Sequence, residues 1–231
     1  RALFLRVDEI GNTGRKQVIL SRTSGDFLAK LYEMEVPEIQ EGIVHIKSIS
    51  REAGSRTKMA VKSIDDKIDP IGACVGTQGA RVRNIVDELG DEKIDIVKYS
   101  DDPSTFIEAA LSPSKVTKVF VDEANKSAIV IVPDYQLSLA IGKEGQNARL
   151  AARLTNWKID IKPESEFGPD EEAALLEEIE SNQIAAEEEA KRLAKEAELK
   201  AEKVNDDQVE ANEANDTSEL EVQEAKEEIE E

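Results

Sequence analysis

The sequence predicts an α+β fold of two tandem two-layer units followed by an acidic tail, and three observations carry that expectation. The first is a loop that occurs twice, Val75-Gly76-Thr77-Gln78-Gly79 and, 66 residues later, Ile141-Gly142-Lys143-Glu144-Gly145. Twelve glycines in 231 residues give roughly 0.6 Gly-x-x-Gly pairs by chance, so the surrounding sequence has to decide. It repeats as well. Each loop follows small and apolar residues, opens a helix-like run with an aligned arginine (Arg83, Arg149), and leads to one tetrapeptide: Lys93-Ile94-Asp95-Ile96 and Lys158-Ile159-Asp160-Ile161. Self-similarity of this kind marks an internal repeat. The second observation is a common element order, α-β-β-α-loop-α-β, in both copies. The third is a charge boundary near residue 164, where the core-forming sequence ends.

Taken in order, Ala2–Val7 and Gln17–Ser21 read as two strands joined by a Gly-Asn-Thr-Gly turn. A lone hairpin is marginal in water, so these strands read as the end of a sheet or barrel, in a chain that reads as a fragment. Phe27, Leu28 and Leu31 share one face of a helix over residues 26–32, and Pro37 suits the start of a second short turn. Strands are expected over 43–51 and 57–64, then an Asp69-Pro70 cap into the first loop, a helix over 80–89 and a strand over 93–98. The second copy gives a helix at 103–111, strands at 115–121 and 127–132, a helix at 134–140, the second loop, a helix to 154 and a strand at 157–161. Strands apolar on one face with helices against that face make a two-layer unit. Only residues 99–102 join the copies, which should therefore pack together. The resulting domains are 1–22, 23–100, 101–163 and a tail, 164–231, helical to about 204 and disordered beyond.

The net charge of −20 argues against a partner that is itself a polyanion until the chain is divided. Residues 164–231 carry 26 of the 50 acidic and six of the 30 basic residues, leaving residues 1–163 neutral. The tail therefore either competes with a polyanion for basic faces or is a solvated extension. One cysteine, Cys74, excludes an intramolecular disulfide and fits a reducing, cytoplasmic setting. There is no run of 18 apolar residues and no basic-plus-apolar leader. A single histidine, His45, leaves no histidine pair for catalysis or zinc, and no Gly-x-x-x-x-Gly-Lys-Ser/Thr loop occurs, so an enzyme is not expected.

Two glycines let a nucleic-acid backbone lie against the main chain, and the helix that follows presents free N–H groups to a phosphate. A KH module clamps about four nucleotides in this way. The competing reading is a tight corner between two helices that binds nothing. Candidate RNA-binding residues are Gly76, Thr77, Gln78, Gly79, Arg81 and Arg83 in the first copy. In the second they are Gly142, Lys143, Glu144, Gly145, Asn147, Arg149 and Arg153. Lys143 is the only cation inside either loop, and Arg149 and Arg153 share a helix face. Arg81 and Arg83, two apart, cannot both face one way. Cys74 and Trp157 read as core residues.

The stretch Val132-Pro133-Asp134-Tyr135-Gln136-Leu137-Ser138-Leu139-Ala140 and the loop after it resemble the second KH unit of the NusA family of bacterial transcription factors. Asp69-Pro70-Ile71-Gly72-Ala73-Cys74 resembles the first, and the initial hairpin resembles the last strands of that family's OB-fold barrel. The resemblance covers about residues 1–163. It implies tandem type II KH units (α-β-β-α-α-β) that bind nascent single-stranded RNA. It also implies modulation of pausing, intrinsic termination and antitermination. The implied partners are RNA polymerase, contacted mainly through an N-terminal domain outside this chain, and other elongation factors. A monomer without cofactor, metal or membrane association is expected. The first loop departs from the family in carrying Thr77-Gln78 where a lysine is common, and the tail lacks the long acidic helical repeats of some members. The other class of function left open is a protein-interaction scaffold with structural glycine loops and a partner-docking acidic tail.

Overall fold

At the start of the chain, β1 (Leu3–Ile10) and β2 (Arg15–Ser21) pair antiparallel. Phe4, Val7, Val18 and Leu20 of this hairpin are about half exposed. The computed structural model describes residues 1–11 and 14–195. In the first repeat, Ser24 accepts a hydrogen bond from the Phe27 amide and starts α1 (Gly25–Glu35), and Pro37 opens α2 (Pro37–Gln40). Then come β3 (Val44–Glu52) and β4 (Arg56–Ser63), antiparallel with an irregularity between Ile46 and Ser48. The pair α3 (Pro70–Val75) and α4 (Ala80–Leu89), joined by the first glycine loop, crosses over to β5 (Lys93–Lys98). That crossover is what allows β5 to lie parallel to β4, with Thr57 opposite Ile94 and Met59 opposite Ile96. Phe27, Leu28, Leu31, Tyr32, Met59 and Cys74 are buried between helices and sheet.

The second repeat has the same topology: α5 (Pro103–Ala110), β6 (Lys118–Asp122), β7 (Ser127–Val132), α6 (Leu137–Ile141), α7 (Gln146–Thr155) and β8 (Lys158–Pro163). Its sheet order β6-β7-β8, with β7 and β8 parallel, matches β3-β4-β5. Several boundaries shift by one to three residues from expectation, and two of the differences have a visible cause. The helix expected over 134–140 is a 3-10 turn, Asp134–Gln136, followed by α6. The Asp134 carboxylate accepts from the Ser165 hydroxyl (2.6 Å) and α6 has no side-chain cap, whereas Asp69 caps α3 through the amides of Ile71 and Gly72. The strand expected from 115 begins at Lys118, because the Lys115 amide donates to the side chain of Gln136.

The two repeats share a core. Ala60 on β4 and Val97 on β5 cluster with Phe106, Ile107, Ala110 and Leu111 of the second repeat. Lys58, fully buried, donates to the Ser112 carbonyl (2.6 Å) and to Asp95 (3.2 Å). Burial pushes the Lys58 pKa down, partly offset by Asp95. The chain divides into two compact units, Arg1–Glu177 and Glu178–Glu231. In the first, residues 169–177 are helical and Glu172 pairs with Lys118 (2.7 Å). In the second, described residues 178–195 are helical and nearly all exposed. The expected helix end near 204 and the disorder after it lie outside the described residues.

Candidate nucleic-acid interface

The two glycine loops have one backbone conformation. Gly76 and Gly142 have φ/ψ of +73/175° and +76/174°, Gln78 and Glu144 of +52/26° and +54/27°, and Gly79 and Gly145 of +76/17° and +72/16°. The first glycine is obligatory: its region is essentially closed to side chains. A Cβ there would also lie 2.7 Å from Arg81 Cγ in the first loop and 2.9 Å from the Asn147 backbone nitrogen in the second. The third loop residue is left-handed without being glycine, a feature that the Gly-x-x-Gly pattern did not signal.

Each loop is held by one of two aligned side chains. Arg81 donates to the Ala73 carbonyl (2.6 Å) and to Glu38 (2.8 Å). Asn147, buried, donates to the carbonyls of Ala140 (3.0 Å), Leu111 (3.1 Å) and Leu139 (3.4 Å). Both tie the N-terminus of the second helix back to the end of the first. Of these two RNA-binding candidates, Asn147 is buried beneath its loop, while Arg81 is part-exposed with its guanidinium engaged by Ala73 and Glu38. Helical geometry is the reason, since the position two past the second glycine turns toward the preceding helix.

The next aligned pair lies outside. Arg83 donates to the carbonyl of Gln78 (3.3 Å) and Arg149 to that of Glu144 (3.2 Å). From there they part. Glu52 on β3 of the first repeat accepts from Arg149 (2.8 Å) and, with its other oxygen, from Gln146 (2.7 Å). Hydrogen bonds from Arg149 and Gln146 hold the Glu52 carboxyl below its usual range, and the same contact raises Arg149. Arg83, Lys143 and Arg153 are exposed and make no ion pair among the described residues. Thr77, Gln78 and Glu144 are also exposed. Glu38 and Glu52 were missed by sequence reasoning, which has no signal for partners 43 and 97 residues apart.

Among the described residues no group of three His, Cys, Asp or Glu could hold a metal ion. Cys74 is buried, its thiol pushed up to about 12 by burial, and Trp157 packs in the core with Lys126 4.7 Å over its ring. Beside the first loop lies a cleft of about 400 Å³ with Glu38, Asp69 and Arg81 on its walls.

The family model described as a NusA-like first KH domain matches residues 22–99, and that of a NusA-like second KH domain matches residues 103–168. The chain belongs to the NusA family. Among NusA relatives, the transcription termination/antitermination protein NusA of Halalkalibacterium halodurans is 55% identical over 177 residues, covering 77% of this chain and 45% of that protein. The protein of the same name from Bacillus subtilis is 59% identical over 150 residues, 65% of this chain and 40% of the relative. That of Mycobacterium bovis is 56% identical over 146 residues, 63% and 42%. The chain spans less than half the length of these NusA proteins. No helix among the described residues is long and apolar enough to cross a membrane.

Proposed function

We propose that this chain is the RNA-binding part of a NusA-like transcription elongation factor. Its paired KH units hold nascent single-stranded RNA and so modulate pausing, intrinsic termination and antitermination by RNA polymerase. The observation that carries this reading is the match of the two glycine loops, angle for angle, each opening a ten-residue helix. Bare main chain at a helix N-terminus suits close approach of a phosphate, and two such sites on one rigidly joined pair engage consecutive segments of one strand with gain in avidity. The names of the relatives support the transcriptional setting. In this reading the protein is a cytoplasmic monomer and a binding factor rather than an enzyme. It contacts polymerase mainly through an N-terminal domain outside this chain. The β1–β2 hairpin, with its exposed apolar side chains, is the edge of an OB-fold barrel.

The test is binding of the full chain to a mixed-sequence single-stranded RNA, with Lys143→Asp and Glu144→Asp combined in a parallel sample. The variant is expected to bind about tenfold more weakly or worse at low salt, with its circular dichroism unchanged. Equal affinity in the two samples would sink the proposal for the second loop.

A further inference from the structure

The aligned arginines behind the two loops have different surroundings, and that difference bears on where each loop keeps its charge. Arg149 is paired through Nε with Glu52, while Nη1 is given to the Glu144 carbonyl. Its positive charge is thus matched by a carboxylate that the neighbouring repeat supplies. Arg83 makes the equivalent bond to Gln78 and has no carboxylate partner among the described residues. Asp87, one turn further along α4, forms no ion pair with it. The first loop has no cation at its tip, whereas the second has Lys143, exposed and unpaired among the described residues.

Resting on the RNA reading above, we infer that the two loops grip phosphate with cations from different positions: Arg83 on the helix for the first, Lys143 at the tip for the second. Glu52 withholds Arg149 from the strand. Both arginines still brace the carbonyl of the third loop residue, so bracing alone does not separate them. Charge does. Each single-strand phosphate neutralised contributes about 0.7 to the log–log salt slope, because a condensed counterion is released. A cation already neutralised by a protein carboxylate contributes little.

The experiment measures the affinity of the full chain for a fluorescent mixed-sequence single-stranded RNA between about 50 and 200 mM salt. Arg83→Gln and Lys143→Gln are each expected to flatten the slope by about 0.7, and the charge-balanced pair Glu52→Gln/Arg149→Gln to leave it unchanged. Glu52→Gln is expected to steepen it by up to about 0.7 and to tighten binding at low salt, with the gain abolished in Glu52→Gln/Arg149→Gln. A gain cannot come from misfolding, which protects the test from unstable variants. Wild-type binding with equal flattening by Arg83→Gln and by Glu52→Gln/Arg149→Gln, or a Glu52→Gln variant no tighter than wild type, would overturn this assignment alone. A wild-type chain without salt-dependent RNA binding would remove the RNA reading and this inference with it.

Discussion

Glu92 shows how a single residue can dominate a region of the fold. It is fully buried, yet its carboxylate accepts two bonds from Arg51 (2.8 and 2.9 Å), one from the Gly54 amide (2.9 Å) and one from the Thr57 hydroxyl (2.5 Å). Burial pushes its pKa up, and these donors outweigh burial, so the net displacement is downward. Arg51 also reaches the carbonyls of Arg22 and Ser24, tying the segment before α1 to the β3–β4 turn. Glu92→Ala is expected to cost about 3–5 kcal/mol in urea unfolding, because Arg51, with 4% of its side chain exposed, would keep its charge without a partner. A depressed carboxyl pKa contributes stability that is complete above about pH 4.5 and lost as pH falls through the lower folded value. Acidification should therefore destabilise wild type more steeply than Glu92→Gln, and parallel stability curves would contradict the assignment.

At the scale of the element, the loop–helix junction separates the roles of its two glycines. Gly142 occupies a region closed to side chains and abuts the Asn147 backbone, whereas Gly145 is left-handed with open space around it. Gly142→Ala is expected to cost roughly 1–3 kcal/mol in backbone strain, with a further loss from the clash. Gly145→Ala should cost only about 1–2 kcal/mol. Thermal unfolding followed by Trp157 fluorescence measures both, and equal losses would show that the close approach to Asn147 is unimportant. Most elements were legible because periodicity and capping are local: α4, β5 and β7 have the expected bounds, and Asp69 caps α3 as its Asp-Pro sequence suggests. The start of α6 was not legible. There a 3-10 turn precedes the helix, and its Asp134 is held by Ser165, which is 31 residues away.

For the molecule as a whole, the shared core predicts that the two repeats unfold as one cooperative body. Ile107 is fully buried in the cluster that includes Ala60 and Val97 of the first repeat. Ile107→Ala is expected to cost about 2–5 kcal/mol and to lower amide hydrogen-exchange protection in β4 as well as in the second repeat. Unchanged protection in β4 would mean that the repeats unfold separately. The same packing sets α7 against β3, which brings Glu52 to Arg149 and so joins the second loop to the first repeat.

The amino-acid sequence determined the repeat, the order of elements within it, the glycine loops and the segregation of acidic charge into the tail, since each is written in local spacing and composition. Tertiary structure decided which cations face outward. Arg81 is paired with Glu38 while latching its loop, Arg149 is neutralised across the interface, and Arg83 is left without a counter-charge among the described residues. The physical reason is that charge compensation depends on distance in space, and the partners that settle it, Glu38 and Glu52, come from parts of the chain that only folding brings near.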